Sequence, residues 1–411
     1  MNDILISEKG IQEQEEEVPL SQTENSFLGL KTKNNLISKN SKNFLNKYFP
    51  LSSEEDWNNW KWQVKNSFVT YKQLQQITEV TEVELEIFLN RGMNLPFRIT
   101  PYYASLMINP EFGYIIRKAM VPTNSEMIIS PGEEPDPLHE EDTMPVPNIV
   151  HRYPDRVLFL ATNFCSSYCR YCTRSHMVAK EEKHYEIKAW EEAFEYIKNH
   201  KEIRDVLISG GDPLTISDGH INYLLSKLRN ISHVEIIRIG TKVPVVLPQR
   251  ITPELIDILK KYHPLYLSIH FMHPEEITLE TSEALNKLAD AGIPLGSQTV
   301  LLKGINDDIE IMKNLMHKLL MNRIKPYYIY SCDKIPGSKQ FQSTIDKGLE
   351  IIDGLRGNTS GYACPQFVID SNIGKIALLP NFIKSLVETE ENKIYIFRNY
   401  KGEETIYKDF K

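Results

Sequence analysis

Cys165, Cys169 and Cys172 stand at C-x3-C-x2-C spacing within CSSYCRYCTR. Three thiolates this close in sequence suit a shared metal centre. A 4Fe–4S cluster normally takes four cysteines, and no fourth stands at matching spacing here, so one iron is left open to an outside ligand. The amine and carboxylate of S-adenosylmethionine can chelate such an iron. One electron then splits the sulfonium bond and yields a radical able to take hydrogen from unactivated carbon. Two plainer readings compete: three core cysteines, or a zinc knuckle short of ligands. The aromatic and basic neighbours, and a position just after a strand-like run, weigh for the cluster. Cys332 and Cys364 have no ligand-like spacing and read as packing residues.

A second signal lies one strand further on. In SGGDPL, Ser209, Gly210, Gly211 and Asp212 leave the next strand-like run, and paired glycines let backbone groups approach an amino-acid moiety closely. The same letters also describe an ordinary turn.

The elements that must position these residues show as a repeat. Strand-like runs at 156–162, 205–210, 234–240, 264–270, 293–302 and 325–331 alternate with helical patterns such as KAWEEAFEYIKNH and INYLLSKLRN. Six successive βα units predict a parallel sheet, open or closed into a partial barrel, with ligand chemistry at the C-terminal strand ends. Residues 1–45, rich in Asn, Lys, Ser, Glu and Gln, read as a disordered tail, 46–121 as a helical module, and 122–150 as an extended linker dense in Pro, Gly and acids. The barrel takes 151–345 and a strand-rich piece takes 346–411.

Composition narrows the function classes. A net charge of -8 with no basic face gives a nucleic-acid partner no support. No apolar leader opens the chain and no run is long enough to span a bilayer, so the expectation is a cytoplasmic protein that acts on a small polar substrate. Five cysteines, three of them clustered, fit a reducing compartment better than a disulfide framework.

HRYPDRVLFLATNFCSSYCRYCTR, SGGDPL, VPVVLPQRITPEL, HPLYLSIHFMHP, ADAGIPLGSQTVLLKGIND, IKPYYIYSCD, LRGNTSGYACPQFVID and KIALLPNF resemble the corresponding stretches of lysine 2,3-aminomutases, over roughly residues 55 to 405. The resemblance implies a partial (β/α)6 TIM-like barrel with a helical N-terminal module and a small C-terminal segment. It implies an isomerase that uses a 4Fe–4S cluster, S-adenosylmethionine and pyridoxal 5′-phosphate to move an amino group between neighbouring carbons. By the same resemblance Lys375 carries pyridoxal phosphate as a Schiff base, Arg152, Arg156 and Tyr330 help hold that coenzyme, and Ser209 to Asp212, His270 and Gln298 lie near S-adenosylmethionine. Arg174 matches the group that receives the substrate carboxylate, and Asp333 and Asp370 match the pair that receives the distal ammonium of lysine. Two acids meeting one cation form a simple electrostatic selector. A flavodoxin- or ferredoxin-type electron donor and a homo-oligomer are also implied.

Departures from the family pattern qualify the substrate. The structural zinc site usual in these enzymes has lost both halves, with Asp308 in place of a cysteine and no terminal cysteine cluster, so no zinc is expected. Tyr171 and Ser175 stand where the family more often has His and Arg, and the loops SNIG and KIPGSKQFQST also differ. Arginine therefore rivals L-lysine as substrate. Further alternatives are a lysine aminomutase acting on a protein such as elongation factor P, against which the retained Arg174 weighs, and an inactive cluster-binding protein, against which the three cysteines, Lys375, Asp333 and Asp370 weigh together.

Overall fold

A computed structural model describes residues 36–411 apart from 90–94, 180–186, 372, 390–391, 400 and 411. Most of the expected tail, 1–35, therefore lies outside the described residues. Its last part does not behave as a tail. Lys39–Tyr48 is a helix with Ser38 as its cap, and it buries Phe44 and Leu45. Ser41 Oγ also reaches Glu280 Oε1 at 2.6 Å, which ties this helix to the helix Leu279–Asp290. A single apolar pair inside an Asn- and Lys-rich stretch was too weak a pattern to show this in the sequence.

The helical module matches its periodicity. Pro101–Met107 is buried along its whole length, with proline at its start and Thr100 accepting from Tyr103 N, the arrangement that best satisfies the orphan donors of a first turn.

Nine strands make the main sheet in sequential order. β1 (Ile149–Tyr153) runs antiparallel to β2 (Arg156–Thr162). From β2 the sheet continues in parallel through β3 (Asp205–Gly210), β4 (Ile236–Thr241), β5 (Leu265–His270), β6 (Leu295–Leu301), β7 (Ile324–Ser331) and β8 (Gln366–Ser371). β9 (Gly374–Leu378) returns antiparallel to β8. First and last strands are not paired with each other, so the barrel is partial. Helices including Asp218–Arg229, Leu279–Asp290 and Ile309–Met321 fill the crossovers, each capped by a Ser, Thr or Asp side chain. Asp308, which precedes the last of these, caps it by accepting from Glu310 N and Ile311 N.

Two boundaries differ from expectation. The barrel has a seventh parallel strand, because QFVIDS pairs with β7 instead of joining a separate C-terminal piece. Only β10 (Ile383–Glu388), β11 (Asn392–Arg398) and β12 (Glu404–Phe410) form a sheet of their own. The segment 122–150 is packed rather than a spacer: Leu138 and Glu140 are buried, and Glu126 is ion-paired.

Candidate active site

The loop after β2 brings Cys165, Cys169 and Cys172 to the C-terminal end of the barrel as free thiols. Burial pushes all three thiols up, and each is raised further by another cysteine of the trio or by nearby acids such as Asp212. Among the described residues no three His, Cys, Asp or Glu side chains converge tightly enough to grip a single ion. A cluster asks for a wider spread, since each thiolate takes a different iron, and three free thiols on one short loop fit that demand.

The SGGDPL turn packs directly against this loop. A Cβ on Gly210 would meet Thr162 O at 2.2 Å, and one on Gly211 would meet Phe164 O at 2.4 Å. Gly210 also has φ +122°. The glycines are thus required where two chain segments touch. Asp212, expected to face the cofactor, has its carboxylate taken by four donors: Leu214 N, Thr241 Oγ1, Lys242 N and Val243 N. With every favourable acceptor position engaged, it braces the end of β3 against the end of β4. Ser209 faces Gly240 of β4.

His270 on β5 is likewise held at both nitrogens. Its Nδ1 lies 3.1 Å from Gln298 O, a carbonyl that can only accept, so the proton sits on Nδ1. Nε2 is then the acceptor for the Tyr171 hydroxyl at 2.7 Å. Burial and nearby Lys242 push His270 down to about 3, so the ring is neutral. The Gln298 side chain lines the cavity.

That cavity, about 560 Å³, gathers Arg152, Arg156, Arg174, Tyr330, Asp370 and Lys375. Asp370 and Lys375 are register partners across β8 and β9, and Lys375 Nζ sits 2.5 Å from Asp370 Oδ2. The lysine ammonium also lies 5.7 Å from the Tyr330 ring and 5.8 Å from that of Tyr153. Asp370 Oδ1 is buried without a hydrogen-bond partner, and Arg152 Nη1 is 3.6 Å away. Arg156 pairs with Asp155 and lies over the Tyr153 ring at 3.9 Å. An amine, two guanidiniums and tyrosine faces in one cavity suit a phosphorylated aromatic aldehyde.

Asp333 is not among the cavity-lining residues. It accepts from the Thr173 hydroxyl, next to Cys172. Burial pushes its carboxyl up to about 6, against the lowering effects of Thr173 and Arg174.

Arg174 brings the largest surprise. Its Nε and Nη2 donate to Glu140 Oε2 and Oε1 at 2.7 and 2.6 Å, and this pairing outside the sequence reading holds its guanidinium well above the usual range despite burial. Glu140, Tyr153 and Thr173 were all missed from sequence. Tyr153 alone carried a signal, standing between Arg152 and Arg156 on the strand-turn HRYPDR.

Comparison with known proteins follows the same division. Residues 159–316 match the family model "Radical SAM superfamily", and 352–411 match the model "Lysine-2,3-aminomutase". The chain is 46% identical over 90% of its length to an L-lysine 2,3-aminomutase of Fusobacterium nucleatum, covering 86% of that protein. It is 49% identical over 86% of its length to the enzyme of that name from Bacillus subtilis, covering 75%. It is also 42% identical over 83% of its length to a glutamate 2,3-aminomutase of Clostridioides difficile, covering 83%.

Proposed function

Since the chain belongs to the lysine 2,3-aminomutase family of radical S-adenosylmethionine enzymes, we propose that it converts L-lysine to its β-amino isomer with pyridoxal phosphate held at Lys375. One observation carries the choice of substrate. The cavity holds a guanidinium with unused donors, Arg174, and a carboxylate with a buried unused acceptor, Asp370 Oδ1. An amino acid with a carboxylate and a distal ammonium satisfies both, whereas a dicarboxylate would set a second acid against Asp370 and leave its free oxygen without a donor.

Cys165, Cys169 and Cys172 hold the cluster in this reading, and Arg152, Arg156 and Tyr330 hold the coenzyme. When bound, the cluster and S-adenosylmethionine supply one-electron chemistry able to take hydrogen from unactivated carbon, and pyridoxal phosphate supplies an aldehyde that carries the amine. The chain's own work is positioning. Arg174 takes the substrate carboxylate, Asp370 takes the distal ammonium, Asp333 just behind the cavity lining adds its negative charge beside Asp370, and the tyrosine faces exclude water. Gln298 and the fixed, neutral His270 shape the side on which S-adenosylmethionine binds.

Asp370 has a second duty. Its Oδ2 holds the Lys375 ammonium beside the Tyr330 ring, so the lysine waits inside the cavity rather than in solvent.

Arginine stays as a second reading on one observation. Tyr153, Tyr327, Tyr328 and Tyr330 line the cavity, and aromatic faces stack well on a guanidinium. Protein rebuilt anaerobically with iron, sulfide, S-adenosylmethionine, pyridoxal phosphate and reductant, then given lysine, arginine and glutamate in competition, distinguishes these. The expected product is predominantly β-lysine. A preference for arginine promotes the second reading, and absence of any β-amino acid from both basic substrates defeats the proposal.

A further inference from the structure

Glu140 stands in the segment that composition marks as a linker, yet it is 3% exposed and lines the cavity. Its backbone is fixed by a short turn. Glu140 O accepts from Thr143 N and Thr143 Oγ1, and Asp136 Oδ2 accepts from Glu141 N at 3.0 Å. The side chain is therefore presented from a set position. It meets Arg174 in a two-pronged pair, Oε2 to Nε and Oε1 to Nη2.

The choice of edge matters. A guanidinium has five N–H donors: one on Nε and two on each terminal nitrogen. Glu140 uses Nε and one donor of Nη2. Among the described residues Nη1 carries no hydrogen bond, so the end-on face made by Nη1 and the second Nη2 donor is left over. That face is itself a two-pronged carboxylate receiver. A guanidinium plane fixed along one edge cannot rotate about its stem, so less freedom is lost when a ligand meets the other edge.

We propose that Glu140 is a positioning residue that locks Arg174 so that its Nη1–Nη2 face receives the carboxylate of the amino-acid substrate. This rests on the reading of Arg174 as the carboxylate receiver given above. Glu140 does not compete with the substrate, because the two carboxylates use different edges. It also leaves Arg174 only partly neutralised on the substrate side, so a neutral amide at that end of the ligand gains little.

The test is equilibrium binding of lysine and of lysinamide, which lacks the carboxylate, to cluster- and coenzyme-loaded protein without reductant. Wild type is expected to bind lysine more tightly than lysinamide by about tenfold or more. Glu140→Gln is expected to weaken lysine about tenfold while barely changing lysinamide, so that the ratio approaches one. In turnover, KM for lysine rises about tenfold while kcat stays within about threefold. Glu140→Asp, which keeps the charge on a shorter stem, gives an intermediate ratio and serves as the test if the Gln variant does not fold. Cluster absorbance is unchanged in both. A wild-type ratio in either variant, or tighter lysine binding by Glu140→Gln, overturns the proposal. If instead wild type and Arg174→Lys both bind lysine and lysinamide alike, the reading of Arg174 itself has failed.

Discussion

Two arginines four residues apart in CRYCTR do opposite things with the same chemistry. Arg170 donates from Nε and Nη2 to Glu126, at 2.9 and 2.5 Å. Its remaining nitrogen reaches Pro96 O at 3.0 Å, and Nη2 also reaches Leu95 O at 3.0 Å. The side chain is 1% exposed and is consumed by the protein. Arg174 makes the same two-pronged pair with Glu140 but among the described residues meets no carbonyl on its other face, and its side chain is 23% exposed. Both clamps pin the 122–150 segment to the cysteine loop. One is a rivet, and the other is a rivet with a receiving face left open to the cavity. What separates them is the set of acceptors around each guanidinium, not the residue or its immediate sequence.

That contrast can be broken most severely at Arg170. Arg170→Ala strands Glu126 and two backbone carbonyls in the interior, and a buried pair that loses one partner costs about 3–5 kcal/mol. We expect a matching fall in stability in denaturant unfolding, together with poor cluster incorporation. Unchanged stability would show that the rivet is dispensable. Arg174→Lys should do the reverse. A lysine still pairs with Glu140, but it offers no planar two-pronged face, so stability holds while KM for lysine rises about ten- to hundredfold. A stability loss as large as that at Arg170 would erase the distinction.

A smaller effect separates the carboxylate end from the ammonium end. Asp333 titrates near 6 because burial raises it, so it is charged above that value and neutral below. Lysine keeps its charges across this range. KM for lysine should therefore rise roughly tenfold between pH 8 and pH 5, as the ionised fraction of Asp333 falls to about one-tenth. Asp333→Asn should flatten that rise, and a slope that persists in the variant points to another group. The sign for stability is opposite. A carboxyl whose folded pKa lies above its unfolded value penalises folding above about pH 6, and that penalty fades as pH falls toward 4. As the smallest effect, breaking the exposed Lys198–Glu195 pair with Lys198→Ala should leave both stability and KM unchanged, because such surface pairs contribute little.

The legible parts of the molecule were those whose signal is local. Four of the six strand runs in the repeat, 156–162, 205–210, 264–270 and 325–331, fall on β2, β3, β5 and β7 to within one residue, because alternation and β-branched content act within one strand. The cysteine spacing is equally local. Pairings between distant segments left no trace. Glu140 reaches Arg174 across 34 residues and Glu126 reaches Arg170 across 44, and both acids sit among prolines and other acids that read as solvated linker. QFVIDS reads as a strand in either context; only the edge offered by β7 decides that it extends the barrel wall and places Asp370 opposite Lys375. The bracing role of Asp212 is hidden in the sequence for a related reason. Its position beside two glycines suggested a ligand contact, while the four donors that consume it come mostly from β4 and the turn beyond.

The most direct test follows the nitrogen. Anaerobically rebuilt protein is given lysine labelled with 15N at the α-position, and the product is sequenced by tandem mass spectrometry. A product of unchanged mass with its label on the β-carbon is expected. Recovery of the label only at the α-position, or its release as ammonia, would contradict the assignment of this cavity to amino-group migration.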